Sequence, residues 1–324
     1  MKAAVRARYG PPEVVSVLEI QQPVVKDDEL LVKVRATTLN RTDCAMRAAK
    51  PFLWRFFTGF IRPKVSVLGT EFAGEVEAVG RDVTLFRVGD RVFGYNDPGF
   101  GAHAQYMSIP QSGTLALIPE DLTFEEIAPS TEGAHYARSL IRSAGIRAGQ
   151  DVLVHGATGA IGSAAVQLLN DLGARVTAVC GTAQLDLVRK LGADKVVDHT
   201  ATDFTKDEQD YDVVIDAVGK STFGRCRRLL KPRGVFIAAD VGPMWQNLLL
   251  ALITPLFGGR RVKFPLPKND AAMAREFKEL IESGKFRPVI DRRYSLDEIV
   301  EAYRYVETGQ KTGNVVISVG HPEE

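Results

Sequence analysis

Apolar and polar residues alternate only in short stretches over the first 120 positions. Residues 29–36, 73–79 and 90–95 carry β-branched side chains in partial alternation, and Gly, Asp and Asn bound these stretches. A period of two residues is typical of strands with one buried face, and short strands between turn residues are typical of barrels. The pattern therefore predicts a β-rich, barrel-like first domain.

From residue 150 the pattern changes to short apolar runs separated by stretches with helical spacing. Apolar strands joined by helices indicate a parallel sheet whose crossover helices cover both faces. The sequence therefore predicts a doubly wound α/β domain from about residue 120 to 265. Its predicted strands are 151–155, 175–180, 195–198, 211–216 and 234–238, and its predicted helices are 160–172, 182–191 and 223–230.

After Pro267 two further helices, 270–283 and 296–308, alternate with strands at 289–294 and 314–319. This tail is too short to form a third domain of ordinary size. We therefore expect it to fold against one of the other two domains.

The composition excludes several classes of protein. The chain has 324 residues, which suggests two domains, and its 41 Lys and Arg residues balance 40 Asp and Glu residues. A balanced charge argues against nucleic acid or an anionic membrane as the main partner. Three scattered cysteines, Cys44, Cys180 and Cys226, are too few for a disulfide framework or a four-thiolate zinc site.

Nothing in the sequence indicates a membrane span or a leader. The apolar run 248–257 contains Pro255 and is about half as long as a membrane-spanning helix. We expect it to be a buried or interface helix. Residues 1–10 lack the apolar stretch of a signal peptide, so a cytoplasmic protein is expected.

The strongest motif is the glycine loop VHGATGAIG, in which Gly156, Gly159 and Gly162 recur every third residue. Such glycines also occur in tight structural turns. Here a predicted strand precedes the loop and a helix follows it, as a dinucleotide site requires. Glycine lets the backbone approach a pyrophosphate, and the helix N-terminus offers free N–H groups to it.

The end of the next strand favours NADP(H) over NAD(H). NAD sites place an acidic residue there to bind the ribose hydroxyls. This chain has residues 180–183, Cys-Gly-Thr-Ala, and no carboxylate before Asp186. No Arg is present either, so a 2′-phosphate would depend on Thr182, His199 or Lys195.

Several motifs in sequence order resemble the medium-chain dehydrogenase/reductases, and within them the zinc-independent quinone oxidoreductases and alkenal (enone) reductases. They are LGTEFAGEVEAVG, FRVGDRVFG, the glycine loop, VRKLGADKVVDH, DVVIDAVGK and KTGNVVI. The resemblance implies a GroES-like β-barrel catalytic domain at 1–123 and 266–324, and a Rossmann domain at 124–265. It also implies a homodimer.

In zinc-dependent members of this family, the segments that carry the zinc ligands resemble segments of this chain. At the matching positions this chain has Asn40, Thr70 in Gly-Thr-Glu, and Thr131. Amide and hydroxyl oxygens are poor zinc ligands beside thiolate and imidazole, so no metal is expected. Without a Lewis acid, the natural reaction is hydride donation from NADPH to an acceptor that is already electrophilic, such as a quinone or an α,β-unsaturated carbonyl.

Two residues are candidates for catalysis. Asn40 matches a family position near the nicotinamide, where its amide would orient the carboxamide or donate to an acceptor oxygen; the alternative is a turn-stabilising Asn. His135 stands where many relatives have Thr and is a candidate proton donor or oxyanion partner, or else a histidine satisfied by structural partners. Glu132 would raise the pKa of His135 if the two touch. Asp43 and Glu71 are expected to tie down loops through backbone N–H groups.

The residues expected to contact the cofactor follow from the glycine loop, from strand ends and from the resemblance. They are Asn40, Thr131, Thr158, Gly159, Ala160, Ile161, Cys180, Gly181, Thr182, His199, Ala217, Val218, Asp240, Val241, Phe264, Leu266, Lys311 and Asn314.

Two segments each have two possible interpretations, which differ in the binding partner that they imply. The aromatic stretch 50–64 is either an apolar lid that favours a bulky hydrophobic acceptor or ordinary core packing. Basic clusters at 225–233 and 260–263 are solvated faces or, as in RNA-binding relatives, a nucleic-acid surface. The alternatives to the reductase are therefore an alcohol or carbonyl dehydrogenase, or a cofactor-binding protein with a regulatory or RNA-binding role.

Overall fold

The computed structural model describes residues 1–50, 52, 54–97, 99–265, 267 and 270–321. The chain divides into two compact units. The first comprises Met1–Glu132, Asn269–Glu282 and Pro288–Glu324, and the second comprises Gly133–Lys268 and Ser283–Arg287. The domain boundaries expected from the sequence, 123/124 and 265/266, lie at other residues and stay a prediction.

Strands and helices occur in both units. The strands are β1 (Lys2–Arg6), β2 (Val15–Glu19), β3 (Glu29–Leu39), β4 (Glu71–Val79), β5 (Arg91–Tyr95), β6 (Tyr106–Pro110), β7 (Thr114–Leu117), β8 (Asp151–His155), β9 (Arg175–Cys180), β10 (Lys195–Asp198), β11 (Tyr211–Asp216), β12 (Leu230–Ala238), β13 (Arg261–Lys263), β14 (Ile290–Ser295) and β15 (Asn314–Ser318). The α-helices are α1 (Arg41–Ala48), α2 (Trp54–Thr58), α3 (Phe124–Ile127), α4 (Glu132–Ala144), α5 (Ala160–Asp171), α6 (Leu185–Lys190), α7 (Phe223–Cys226), α8 (Gln246–Ile253), α9 (Met273–Glu282) and α10 (Ile299–Glu307).

The first unit is built on a seven-stranded sheet. Its strands run in the order β14, β15, β3, β4, β5, β7, and β6 also pairs with β3. The amino half of β3 pairs with β6, and its carboxyl half pairs antiparallel with β15. Leu30, Val32 and Val34 of β3 are fully buried in the main core of this unit. Because Thr37 lies opposite Phe72, the end of β3 and the start of β4 are neighbours.

The second unit contains the parallel sheet that the sequence predicts. Its six strands run in the order β10, β9, β8, β11, β12, β13. The strand order reverses at β8, with β9 on one side and β11 on the other, and ligands of such sheets bind at the carboxyl ends near this reversal. Buried residues such as Leu153, Val214 and Phe236 form its core.

The apolar run 248–257 is not buried. Leu252, Leu256 and Phe257 are 76%, 81% and 78% exposed, while Leu250 and Ala251 pack against the core. Of the two predicted alternatives, the buried helix is therefore wrong for the outer face of α8 and the turn after it, and the interface helix stays a prediction. Among the described residues no helix has both the length and the apolar character needed to span a membrane.

Candidate active site

The glycine loop connects β8 to α5 in a conformation that only small residues allow. Gly156 has φ +77°, and its N–H and that of Ala157 donate to the carbonyl of Val179 at 3.2 and 3.1 Å. A Cβ atom at Gly162 would lie 2.0 Å from the carbonyl oxygen of Gly156. A Cβ at Gly159 would meet no atom closer than 3.9 Å, so open space lies beside it. The loop therefore forms a cradle lined by backbone.

The first turn of α5 lies at the edge of this cradle. Its N-cap is Gly159, which has no side chain to cap the N–H groups of the first turn. Thr158, Gly159, Ala160 and Ile161 are all partly exposed there. Free N–H groups and the positive end of a helix dipole suit a pyrophosphate, so these predicted residues fit a dinucleotide.

Asp216 fixes the loop that follows β11. Its Oδ1 lies 3.1 Å from Nδ1 of His155 and accepts the N–H groups of Val218 and Gly219 at 3.2 and 3.1 Å. Its Oδ2 accepts the N–H of Ser221 at 2.9 Å. Burial opposes its ionisation, but these bonds outweigh burial and hold the pKa of Asp216 below its usual value. The loop carrying Ala217 and Val218 is thus held to the end of β8.

The loop after β12 packs against the loop after β11. Gly219 has φ +67°, and a Cβ atom on it would lie 2.7 Å from the Cβ of Asp240. The carbonyl of Asp240 accepts Nδ2 of Asn247 at 2.8 Å, and its side chain accepts the N–H of Gly242 at 2.8 Å. The predicted residues Asp240 and Val241 therefore lie at the same sheet edge as those of the β11 loop.

The ends of β9 and β10 hold a carboxylate, Asp198, that was not predicted as part of the site. Asp198 lies beside Cys180 in the parallel register, and the N–H of His199 donates to the Cys180 carbonyl at 3.0 Å. Asp198 accepts the Thr182 hydroxyl at 2.6 Å and the N–H of Thr200 at 2.9 Å. The bonds from Thr182 and Thr200 hold the pKa of Asp198 below its usual value, so it is ionised at neutral pH.

This arrangement changes the interpretation of the phosphate-binding residues. Thr182 and His199 lie at the strand ends where the ribose is expected. Lys195 does not: it lies at the other end of β10, opposite Thr177, and pairs with Asp207 at 2.7 Å. Its proposed alternative role in binding a phosphate was wrong because one strand length separates it from Thr182.

In the first unit, Glu71 is a fully buried carboxylate with five hydrogen bonds. Its Oε1 accepts the N–H and the hydroxyl of Thr131, both at 2.9 Å, and the N–H of Glu132 at 2.7 Å. Its Oε2 accepts the Thr38 hydroxyl at 2.6 Å and Nδ2 of Asn40 at 3.0 Å. As expected, Glu71 ties down a loop through backbone N–H groups. Burial raises the pKa of Glu71 above its usual value, and the hydrogen bonds from Thr38, Thr131 and the Glu132 N–H partly oppose this shift.

Glu132 is a second buried carboxyl, 5% exposed, that faces the same amide. Its Oε1 accepts the Thr42 hydroxyl at 2.5 Å, and its Oε2 accepts the Thr70 hydroxyl at 2.8 Å. Nδ2 of Asn40 reaches the same Oε2 at 3.4 Å. Burial first, and then the charges of Glu71 and Asp43, raise the pKa of Glu132 to about 8.

Asn40 connects the two carboxyls and begins α1. Its backbone N–H donates to Oδ2 of Asp43 at 2.9 Å, and the other Asp43 oxygen accepts the N–H of Gly69 at 3.1 Å. Asp43 therefore ties down this loop, as expected. The Asn40 side chain is buried, and Asn40 and Asp43 together form the capping box at the start of α1. The amide nitrogen faces Glu71, because Oδ1 in its place would meet a carboxyl oxygen that accepts four other hydrogen bonds.

The positions that match zinc ligands in relatives take part in this network. The hydroxyl of Thr70 donates to Glu132, and the hydroxyl of Thr131 donates to Glu71. Within the described ranges, no group of three or more His, Cys, Asp or Glu side chains is placed to hold a metal ion. Hydroxyl and amide groups that donate hydrogen bonds do not fit a zinc site.

Lys311 and Asn314 also belong to the first unit. Asn314 begins β15, and its Nδ2 donates to the Val289 carbonyl at 3.1 Å. Burial lowers the pKa of Lys311 to about 8, and the charges of Glu132 and Glu71 partly oppose this shift. Lys311 is therefore a cation close to the carboxyl pair.

The remaining predicted residues lie in the second unit. His135 is buried in α4, where its ring meets that of Tyr136 edge-on, with centroids 5.9 Å apart. Phe264 follows β13 and is partly buried. Leu266 lies outside the described residues.

The comparisons with known proteins agree with these observations. Residues 26–120 match the family model described as "Alcohol dehydrogenase GroES-like domain", and residues 191–317 match "Zinc-binding dehydrogenase". A 2-methylene-furan-3-one reductase of Solanum lycopersicum is 31% identical over 99% of this chain and 79% of its own length. The chain belongs to the medium-chain dehydrogenase/reductase superfamily.

Other relatives place this medium-chain reductase in the quinone oxidoreductase and alkenal reductase group. A chloroplastic NADPH-dependent alkenal/one oxidoreductase of Arabidopsis thaliana is 30% identical over 98% of this chain and 79% of its own. The structure of a quinone oxidoreductase from Coxiella burnetii has a TM-score of 0.88 and 26% identity, and covers 99% of both chains. The predicted family, fold class and oxidoreductase activity are thereby confirmed.

Proposed function

We propose that this medium-chain reductase uses NADPH to reduce a quinone or an α,β-unsaturated carbonyl without a metal ion. The network of Asn40, Thr70 and Thr131 with two buried carboxyls carries this proposal. A zinc enzyme needs thiolate or imidazole at these positions to activate an alcohol. A site that has amide and hydroxyl groups instead suits an acceptor that is already electrophilic.

The chain's own residues supply binding and orientation. Bound NADPH would supply a hydride, and the acceptor would take up a proton as well. The glycine loop and the first turn of α5 would hold the pyrophosphate, and Thr182 and His199 would hold the 2′-phosphate. The negative charge of Asp198, beside Thr182, opposes binding of that phosphate. Hydrogen bonds from Thr182 and His199 to the phosphate would have to outweigh this repulsion. The other predicted contacts, and His135 as proton donor, are part of the proposal.

The names of the relatives support both the cofactor and the acceptor class. One relative is named as NADPH-dependent, and the acceptors named are alkenals, enones, a methylene-furanone and quinones. All these acceptors have a conjugated carbonyl system, which accepts a hydride without Lewis-acid activation.

The aromatic segment supports a bulky, hydrophobic acceptor. Phe52, Phe56 and Phe60 are each more than half exposed, and the ring centroid of Phe60 lies 6.1 Å from that of Phe52 and 5.6 Å from that of Phe56. Arg55 stacks over Phe52, with its guanidinium carbon 5.1 Å from the ring centroid. The alternative of simple core packing does not hold for these three rings. Exposed aromatic rings suit contact with an apolar ligand.

We also propose a cytoplasmic homodimer. The exposed apolar face of α8 supports self-association, because a contiguous apolar patch on a protein surface is typical of an interface. The balance of 41 basic and 40 acidic residues argues against nucleic acid as a main partner.

The test is NADPH consumption with a quinone, an enone and a saturated aldehyde, each with and without a chelator. We expect turnover with the quinone or the enone, none with the aldehyde, and no effect of chelation. The Kd of NADPH should be severalfold below that of NADH. Activity confined to aldehydes or alcohols and abolished by chelation would support a zinc dehydrogenase. Absence of turnover with every acceptor would support a binding protein.

A further inference from the structure

The segment 50–64 presents a cluster of apolar side chains that the first unit does not cover. Phe52, Phe56 and Phe60 are each more than half exposed, and Ile61 is 83% exposed. We call these four residues the apolar patch. Single exposed apolar residues are normal on a protein surface, but a contiguous cluster marks a surface that binds a partner.

The tip of the apolar patch belongs to a tightly closed loop. The N–H of Lys64 donates to the carbonyl of Thr58 at 2.8 Å, which closes the loop around residues 60–61. Gly59 has φ +119°, and a Cβ atom on it would lie 2.1 Å from the carbonyl oxygen of Arg62. The exposure of the tip is therefore a feature of the folded loop.

Tyr9, which follows β1, fixes the base of the apolar patch. Its hydroxyl donates to the carbonyl of Gly59 at 2.8 Å and lies 2.8 Å from the hydroxyl of Thr58. The guanidinium carbon of Arg55 lies 4.9 Å from the centroid of the Tyr9 ring and 5.1 Å from that of Phe52. The start of the chain and the segment 50–64 thus build one surface.

The charges on this surface are all positive. Residues 1–12 and 44–70 include Lys and Arg but no Asp or Glu, although charge is nearly balanced over the whole chain. Four exposed cations of these two segments have side chains that form no hydrogen bond or ion pair within the part of the chain that the structure describes; they are Arg8, Lys50, Arg62 and Lys64. We call these four residues the flanking cations.

An apolar patch with flanking cations fits the surface of an anionic membrane. Apolar side chains enter the boundary between headgroups and acyl chains, while Lys and Arg contact the anionic headgroups. A second copy of this chain fits less well, because a two-fold contact places the same patch, with its positive charges, on both sides.

Single-stranded RNA also fits less well than a membrane. Bases stack on open aromatic faces. Here the rings of Phe52 and Phe60 meet edge-on and those of Phe56 and Phe60 meet at a tilt, so they cover one another in part. Ile61, the most exposed member of the apolar patch, has no π-face at all.

We propose that the apolar patch and the flanking cations dock this protein onto a membrane surface that contains anionic lipids. Phe60 and Ile61 enter the boundary between headgroups and acyl chains, and Arg62 and Lys64 contact the headgroups. This docking goes beyond the proposed function and does not depend on it. Hydrophobic acceptors dissolve in bilayers, so docking also brings the reductase close to its acceptor; that consequence alone rests on the proposed function.

The test is sedimentation with vesicles, without cofactor or acceptor. One set of vesicles is phosphatidylcholine alone, and the other also contains about 30% phosphatidylserine. The wild type should bind the mixed vesicles about tenfold more tightly than the neutral ones, because each cation near the surface adds to the attraction. Raising NaCl to about 0.5 M should weaken this binding, because salt screens the charges.

Substitutions at exposed positions separate the two parts of the surface. Ile61→Ser should weaken binding to the mixed vesicles about tenfold, because an inserted apolar side chain is lost. Arg62→Gln combined with Lys64→Gln should weaken it about tenfold and reduce its salt dependence. Val24→Ser, at an apolar residue of the same unit that is 81% exposed, is the control and should bind as the wild type does. The melting temperatures should stay close to that of the wild type.

A label at the tip reports contact with lipid directly. Cys44, Cys180 and Cys226 are buried, so a thiol-reactive dye that senses polarity should label an Ile61→Cys variant at position 61. Its emission should shift to the blue with the mixed vesicles, whereas the same dye on Val24→Cys should show no shift.

Three results would overturn the proposal. The first is a wild type that does not bind the mixed vesicles, or binds neutral ones equally well. The second is binding that neither Ile61→Ser nor the double substitution weakens. The third is a dye at position 61 whose emission does not change. Salt-sensitive binding of single-stranded RNA without binding to vesicles would also overturn it and would assign the surface to nucleic acid.

Discussion

Gly159 and Gly162 lie three residues apart in one loop, but the space around them differs. A Cβ atom at Gly162 would overlap the Gly156 carbonyl oxygen at 2.0 Å, whereas one at Gly159 would meet nothing closer than 3.9 Å. Gly162 is therefore required by the close packing of α5 on the backbone of Gly156 and Ala157, which follow β8. Gly159 is required only if a ligand occupies the space beside it.

Alanine substitutions should separate these two requirements. Gly162→Ala forces the loop and helix apart and should reduce the free energy of unfolding by about 1–3 kcal/mol. Gly159→Ala should leave the melting temperature within about one degree of wild type but weaken NADPH binding at least tenfold, because the new methyl occupies the pyrophosphate position. Thermal melts and calorimetric titrations measure both effects. Equal melting temperatures for the two variants would contradict this assignment.

Some of the site was predictable at the scale of single residues, and some was not. The glycine loop was found because its motif residues lie close together in sequence, and Asn40 was found because its segment resembles one in the family. Glu132 as a partner of Asn40 was missed because the two are 92 positions apart. Asp198 was missed because it comes from the strand beside β9 and not from β9 itself. A single sequence gives no information on such pairs unless the sheet register is known.

Among the elements, the amino ends of four parallel strands share one ion network. Asp151 of β8 pairs with Arg175 of β9 at 2.7 Å and with Lys231 of β12 at 2.7 Å. Lys231 also pairs with Asp212 of β11 at 2.8 Å. The hydrogen bond from Arg175 first, with that from Lys231, lowers the pKa of Asp151 to about 2 against the opposing effect of burial.

A depressed pKa in the folded state means that ionised Asp151 stabilises the fold above about pH 4, and that this contribution is lost as pH falls toward 2. Asp151→Asn should therefore lower the free energy of unfolding by about 1–2 kcal/mol at pH 7, since its partners are partly exposed. The difference from wild type should shrink between pH 4 and pH 2.5 in denaturant titrations. The control is Asp186→Asn, which removes an exposed ion pair with Arg189 on α6. If Asp151→Asn lost the same free energy of unfolding at pH 7 and at pH 2.5, the ion network would not contribute to stability.

Three predicted strands of the second unit, β8, β9 and β11, kept their bounds because they are almost entirely buried and therefore largely apolar. The edge strand β10 also kept its bounds although it is only partly buried, whereas the predicted strand 234–238 begins earlier, at Leu230. The helices were less accurate. The predicted helix 182–191 is a 3₁₀ turn followed by α6. Helix α1 was not predicted, although Asn40 and Asp43 form a local capping box at its start.

At the scale of the whole molecule, the outer face of α8 is the largest helix surface with exposed large apolar side chains in the described second unit. If it forms the homodimer interface, Leu252→Glu should place a charge in an apolar contact and shift the protein from the mass of two chains to that of one. Val24→Glu, at an equally exposed residue of the first unit, should leave the mass unchanged. Light scattering after size exclusion measures both. A wild-type monomer, or a Leu252→Glu dimer, would contradict the proposed interface.

The pairing of β15 with β3 has a consequence for biosynthesis. β15 lies between β14 and β3, so residues 314–318 complete a sheet whose other strands, β3 to β7, are made first. While the ribosome is still translating the second unit, β3 has an unpaired edge along its carboxyl half. The Asn40 network is next to that edge in sequence, so it should reach its final order only late in translation, and a nascent chain should depend on chaperones until then.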